Sequence, residues 1–332
     1  WDCKNDWLVY GEEAETVPDG DYTVKILQHQ GIDREYQFSI GSSVPAWEGW
    51  AGNHLPSYCS EVEGTNLFVG TFSVEAANVL IKVTPDGDQL WHVNDKRDQD
   101  MWGVKGMGPR ALAADNGNLF MVRVKRVTDE WDIGVMKTDG SEPADWAQLD
   151  FGDHIDYPKQ HWFGGGAEGE PFLCSHDLAA GGGKLFLCDR HTDSIAWLKQ
   201  SSDASNITIL SRAAVPEGVT GIAVGSDGSG YAAVGNTVVK YAPESTSGTA
   251  VITGLTNPGV IDVHPTTGAI YVAEGPPSNQ IKIFDANGTL KKTLGTYGGR
   301  TEDGAYDPEE GFLQVTDLNV VSDGTFWINE PY

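Results

Sequence analysis

Arg110, His176, Asp177 and Asp317 are the residues of this chain whose types best suit chemistry at a shared site, with His54 a short way upstream. Each stands at or beside the start of a short apolar run, where a side chain can be held firmly yet face an opening. A histidine acting as general base, next to an arginine that neutralises a carboxylate, is the pair needed to draw a proton from the carbon beside a uronic acid group. On that chemistry His176 and Arg110 are the catalytic candidates. His176, Asp177 and Asp317 also offer the mixed imidazole and carboxylate donors that suit a divalent transition metal or calcium. The plain alternative is that Asp177 and Asp317 cap strand ends and His176 is a structural histidine. His54, Asp177, Asp317, His161, Trp162 and Arg300 are the binding candidates. Trp162 suits stacking on a sugar ring, or else tucks its own loop against a sheet edge.

What must position these residues is legible from residues 258–300. Pro258 to His264, Ala269 to Glu274, Gln280 to Asp285 and Leu290 to Leu294 are four runs rich in β-branched and aromatic residues. A Pro265 to Gly268 turn, a Gly/Pro/Ser break and an Asn287-Gly288 turn separate them. Such a pattern predicts a four-stranded antiparallel meander of about 40 residues. A lone meander cannot bury both faces, so it implies neighbours of the same kind.

Those neighbours are present. A turn followed by a small or aliphatic residue and an aromatic recurs at Leu67-Phe68, Leu119-Phe120, Leu185-Phe186, Gly230-Tyr231, Ile270-Tyr271 and Phe326-Trp327. Successive aromatics are 52, 66, 45, 40 and 56 residues apart. The short gaps match propeller blades of roughly 40 to 50 residues, and the long ones match blades carrying inserted loops. A β-sandwich also spaces its strands regularly, but it does not explain a repeated four-strand register. The expected fold is all-β: a six-bladed propeller of four-stranded antiparallel blades over residues 44–332, its last blade stopping after two strands. Placing the blades on a common axis gathers Arg110, His176, Asp177 and Asp317 at one mouth of the channel, and His54 beside them.

Composition narrows the partners. With 48 acidic against 22 basic residues the net charge is -26, which repels nucleic-acid backbones and anionic membranes. No run reaches the roughly 18 apolar residues of a spanning helix. The same charge permits cation binding and suits plain solubility in an extracellular setting. Cys174 and Cys188 flank the Gly181-Gly182-Gly183 turn, so a cross-strand disulfide and two buried thiols are both open readings. No Walker loop, Gly-x-Ser-x-Gly elbow or His-Glu-x-x-His helix is present, which removes support for nucleotide binding, serine hydrolysis or zincin chemistry.

Two stretches carry resemblances. Gly298-Gly299-Arg300, Gly304, Tyr306-Asp307-Pro308 and Trp327-Ile328-Asn329-Glu330 resemble a loop and blade end of secreted NHL-repeat propellers. The resemblance implies a secreted or cell-surface protein that most often binds or scaffolds, with a glycan or a protein as partner, and a divalent cation such as calcium is a possible cofactor. Polysaccharide lyases also use propellers, so action on a uronic-acid polymer is the alternative implied. Residues 1–43 read differently. Val17-Pro18-Asp19-Gly20-Asp21-Tyr22 feeds the strands Thr23 to Gln28 and Glu35 to Ile40, which resemble the closing hairpin of the immunoglobulin-like modules of flagellar hook-capping proteins. That implies a larger parent chain or surface assembly. The competing expectation is a hairpin that completes the last blade.

Overall fold

The computed structural model of the protein describes residues 20–27, 33–40, 57–71, 78–85, 88–94, 109, 111–125, 130–140, 146–148, 176–189, 193–200, 207–300 and 311–330. Two compact units divide the chain, Trp1–His54 and Leu55–Tyr332. The first contains one antiparallel hairpin, β1 (Gly20–Leu27) and β2 (Asp33–Ile40), paired from Gly20 with Ile40 to Leu27 with Asp33.

In the second unit every described element is a strand. Blade one comprises β3 (Ser57–Glu63), β4 (Asn66–Thr71), β5 (Asn78–Val83) and β6 (Gln89–Asn94). Blade two comprises β7 (Ala111–Asp115), β8 (Asn118–Lys125), β9 (Glu130–Lys137) and β10 (Trp146–Gln148). Blade three runs through β11 (His176–Gly181), β12 (Lys184–Asp189), β13 (Ser194–Gln200) and β14 (Ile207–Ala214). Blade four has β15 (Val219–Val224), β16 (Gly230–Val234), β17 (Thr237–Tyr241) and β18 (Gly248–Thr253). Blade five has β19 (Pro258–Val263), β20 (Ile270–Glu274), β21 (Gln280–Phe284) and β22 (Leu290–Leu294). A last sheet holds β23 (Asp317–Val320) and β24 (Phe326–Asn329).

All five blades are antiparallel meanders whose strands pair in chain order. First strands pack neighbour to neighbour: β3 on β7, β7 on β11, β11 on β15, β15 on β19, β19 on β23, and β23 back on β3. This cyclic succession makes a β-propeller and rules out the sandwich. The expectation of six four-stranded blades is corrected to five, because among the described residues the sheet after blade five has two strands. Its inner strand still lies between β19 and β3, so the ring is continuous along its axis.

The recurring aromatics explain why the sheets stack. Each falls on the second strand of its sheet, and Phe68, Phe120, Phe186, Tyr231 and Tyr271 pack into the space between neighbours, since a twisted meander has two apolar faces to cover. Phe68 and Leu80 of blade one meet Leu119 and Met121 of blade two, and Phe120 in turn meets Leu185 and Leu187. Phe186 stacks on Trp197 with ring centroids 4.5 Å apart, and both pack against Ala232 and Tyr241 of blade four. Tyr231 shares a cluster with Ile270 and Val272, while Tyr271 meets Leu318 and Phe326. Among the described residues each buried cluster draws on two neighbouring sheets. Burial of these side chains, about 1.5–3 kcal/mol apiece before chain entropy is counted, is gained only when the ring assembles.

Two glycines mark where backbones touch. A Cβ on Gly221 of β15 would lie 2.6 Å from the Gly259 carbonyl oxygen and 2.7 Å from Val260 Cα, so β15 approaches β19 closely because this residue lacks a side chain. Gly288, at φ 82°, supplies the left-handed residue of the Asn287-Gly288 hairpin turn. The register of β11 against β12 sets Asp177 opposite Cys188. Of the two open readings for Cys174 and Cys188, the cross-strand disulfide finds Asp177 rather than Cys174 opposite Cys188, and Cys174 lies outside the described residues.

Candidate functional site

The inner strands enclose a recess of about 340 Å³ on the ring axis. Asp177 from β11 and Asp317 from β23 both line it, and the Asp177 charge bears on Asp317. Two further carboxyls join them, Glu61 from β3 and Asp262 from β19, neither of which stood out in the sequence. Four acids from four sheets thus share one cavity, although the strands that carry them are far apart in the chain.

Each acid makes the same pair of bonds. One carboxylate oxygen accepts from the backbone N–H of the following residue: Val62 to Glu61 at 2.8 Å, Leu178 to Asp177 at 3.0 Å, Val263 to Asp262 at 2.7 Å and Leu318 to Asp317 at 2.9 Å. The carboxyl also reaches across to the next inner strand. Asp177 accepts from the Ile222 N–H of β15 at 3.2 Å, and Asp262 from the Val320 N–H of β23 at 2.6 Å. Asp317 accepts from both the N–H and the Oγ of Ser60 on β3, the hydroxyl at 2.7 Å, and Asn319 Nδ2 donates to the same Oγ at 2.7 Å. Glu61 is bonded by the backbone of Ala114 on β7. Inner strands at the ring axis do not form a ladder with one another, so their inward N–H groups need acceptors, and these side chains provide them.

Electrostatics follow from the crowding. Burial, opposed by the Val320 and Val263 N–H groups and reinforced by the charges of Asp317 and Asp177, pushes Asp262 up to about 7. Burial, with the Asp177 charge, pushes Asp317 up to about 6 against the pull of Ser60. Burial, with the charges of Asp262 and Asp317, holds Glu61 well above the ordinary glutamate value.

The remaining predicted residues are placed as follows. His176 opens β11 beside Asp177, but its side chain lies outside what is described. Arg110, His54, His161 and Trp162 fall outside the described residues altogether. Arg300 is buried, donating from its guanidinium to Glu330 Oε2, while Glu330 Oε1 accepts from the Leu313 N–H at 2.8 Å. That pair ties the segment after β22 to the end of β24. Among the described residues no group of three or more His, Cys, Asp or Glu side chains is arranged to hold a metal ion. Nor is any described helix long and apolar enough to cross a membrane.

Glu61 and Asp262 escaped the sequence reading for a physical reason. Aligning the blades on their turn glycines sets Tyr58 and Val260 beside Asp177 and Asp317 at the strand entry. Glu61 and Asp262 pair instead with Phe68 and Tyr271, two residues further along their inner strands than Asp177 and Asp317, which lie opposite Cys188 and Asn329. The signal that was available is a carboxylate set inside an otherwise apolar run, Val260-Ile261-Asp262-Val263, since an unpaired acid there is costly.

Comparison with known proteins agrees at the level of fold. The chain is similar to a structural genomics protein of unknown function from Bacteroides thetaiotaomicron, with a TM-score of 0.55, 12% identity, and 84% of this chain and 68% of that one covered. A functionally unknown protein from Desulfotomaculum acetoxidans superposes with a TM-score of 0.51 at 12% identity, over 83% of this chain and 79% of that chain. A putative 6-phosphogluconolactonase from Bacteroides uniformis gives 0.50 at 12% identity, over 88% and 80%. At such identities the likeness shows the fold alone. No family model matches the sequence, and no curated protein does either.

Proposed function

We propose that this chain is a secreted NHL-type propeller that binds and scaffolds, recognising a glycan or a protein with the segments that join its blades. The observation that carries this reading is the use to which the channel acids are put. Their oxygens accept backbone N–H groups of adjacent strands, which is the work of a rigid frame rather than of a proton-transferring or metal-binding centre. A rigid frame is what recognition segments at its rim need. The longest joining segment, residues 149–175, carries His154, His161 and Trp162, whose imidazoles and indole suit stacking and hydrogen bonding to a sugar or a peptide. Acidic surface charge favours an uncharged or basic partner over an anionic one.

Binding of the immobilised chain to a panel of neutral, basic and uronate glycans and extracellular proteins tests the proposal. Saturable binding that is lost in the double variant His161→Ala, Trp162→Ala, with the melting temperature unchanged, supports it. Turnover of a uronate polymer to an unsaturated product, abolished by His176→Ala, overturns it in favour of a lyase.

A further inference from the structure

Asn-Gly occurs twice in the chain, at Asn116-Gly117 and at Asn287-Gly288. In both the asparagine is exposed, yet the two turns are built differently. Asn116 and Gly117 form the loop between β7 and β8, closed by the pairing of Asp115 with Asn118, and both take positive φ, 52° and 74°, as a tight hairpin turn of this kind requires. Among the described residues the Asn116 carboxamide and the Gly117 N–H make no hydrogen bond. Gly117 is held on its other side, its carbonyl accepting from the Thr138 N–H at 3.2 Å, and a Cβ on Gly117 would meet nothing within 4 Å. Asn287-Gly288 is clamped. The Gly288 N–H donates to the Asp285 carbonyl at 2.9 Å, and Asp285 Oδ1 accepts from the N–H of Asn287 at 3.0 Å and of Thr289 at 2.9 Å. Gly288 also lies against the next blade, where a Cβ would stand 1.9 Å from the Val251 carbonyl oxygen.

We propose that Asn116 is a self-modifying site that converts to aspartate and isoaspartate in the folded protein, that the fold shields Asn287 from the same reaction, and that isoaspartate at 116 unties blade two from blade three. The Gly117 nitrogen gives up its proton to solvent, bonds to Cγ of Asn116 and expels the side-chain nitrogen as ammonia, closing a succinimide ring. Water then opens the ring at either carbonyl, so each event consumes a water and releases an ammonia with no change of oxidation state. Bringing the nitrogen onto Cγ requires the peptide plane between the two residues to turn. At 116–117 that plane has an unbonded N–H and open space beside a residue with no side chain. At 287–288 the same turn gives up the bond to Asp285 and presses on Val251. Isoaspartate carries the main chain through the former side chain and lengthens a two-residue turn whose geometry is fixed by its strands. Asp115, next in the chain, is the residue that would feel it, and its Oδ2 accepts from the Gly183 N–H of blade three at 2.7 Å.

The test incubates the full chain at mildly alkaline pH and follows both asparagines by peptide mapping with fragmentation that separates aspartate from isoaspartate, alongside the ammonia released. In the folded chain Asn116 should react faster than Asn287 by roughly tenfold or more, since the protected site must first surrender a hydrogen bond. In urea the two sites should react alike. Equal rates in the folded chain, a faster Asn287, or a difference that persists in urea overturns the proposal. Asn116→Gln should remove most of the ammonia, and because the two-site comparison is made in the wild type, the result stands even if that variant fails to fold. Hydrogen exchange then compares aged and fresh chains at Gly183. Faster exchange of that amide in chains carrying isoaspartate supports the untying of the two blades, and unchanged exchange refutes it.

Discussion

Removing the Ser60 hydroxyl is the sharpest probe of how the ring holds together, because residue 60 lies on the first strand of the propeller and its partners lie on the last inner strand. Ser60→Ala deletes the 2.7 Å bond to Asp317 Oδ2 and the 2.7 Å bond accepted from Asn319 Nδ2, while the backbone N–H of residue 60 keeps its bond to Asp317. A hydrogen bond to a charged acceptor contributes about 1.5–3 kcal/mol, and leaving the buried Asn319 amide short of an acceptor costs about 1 kcal/mol more. No cavity of consequence is made by losing one oxygen. The expected loss is therefore roughly 2–4 kcal/mol, which for a unit of this size lowers the melting temperature by about 4–12 °C. Urea unfolding followed by tryptophan fluorescence, together with calorimetry, measures it. Asn319→Ala provides the second arm of a cycle, and the double variant should cost about 1 kcal/mol less than the two singles together. If Ser60→Ala changes stability by under about 0.5 kcal/mol, or if the two substitutions simply add, β3 and β23 are not joined as described and the argument for a closed ring fails.

Three other outcomes are expected. Gly221→Ala drives a methyl group into the backbone of β19, which cannot yield as a side chain would, and should cost about 1–3 kcal/mol or more by denaturant unfolding. Trp197→Ala empties a site that is 1% exposed and removes the 3.0 Å bond from Nε1 to the Ser245 carbonyl, so a loss of about 3–5 kcal/mol is expected from calorimetry. Glu330→Ala removes the carboxylate to which the largely buried Arg300 guanidinium donates and should cost up to about 3–5 kcal/mol, whereas replacing both residues by apolar ones of similar volume should restore much of that in the same assay.

The blades were legible because their cues are local. Runs of β-branched and aromatic residues, the turns that separate them and one recurring aromatic marked the meanders, and every one of those aromatics lies on the second strand of its sheet. Asp177 and Asp317 were readable because they stand at the entry of β11 and β23, where the blades are compared. Glu61 and Asp262 were not, since they lie two residues deeper in β3 and β19, opposite Phe68 and Tyr271. Arg300 shows the same limit from the other side: a conspicuous arginine in a glycine-rich loop is committed to Glu330, thirty residues on, and nothing local announces the pair.

By itself, then, the amino-acid sequence determined that this protein is a set of tandem antiparallel sheets, each with two apolar faces that require neighbours. Only the tertiary structure decided that four acids meet on the axis and that each holds the next strand. Strand pairing depends on residues a few positions apart, whereas convergence at the axis depends on how whole sheets stagger around it. An acid two residues deeper in its strand keeps the same face, and nothing within that strand says which acids of the other sheets will meet it.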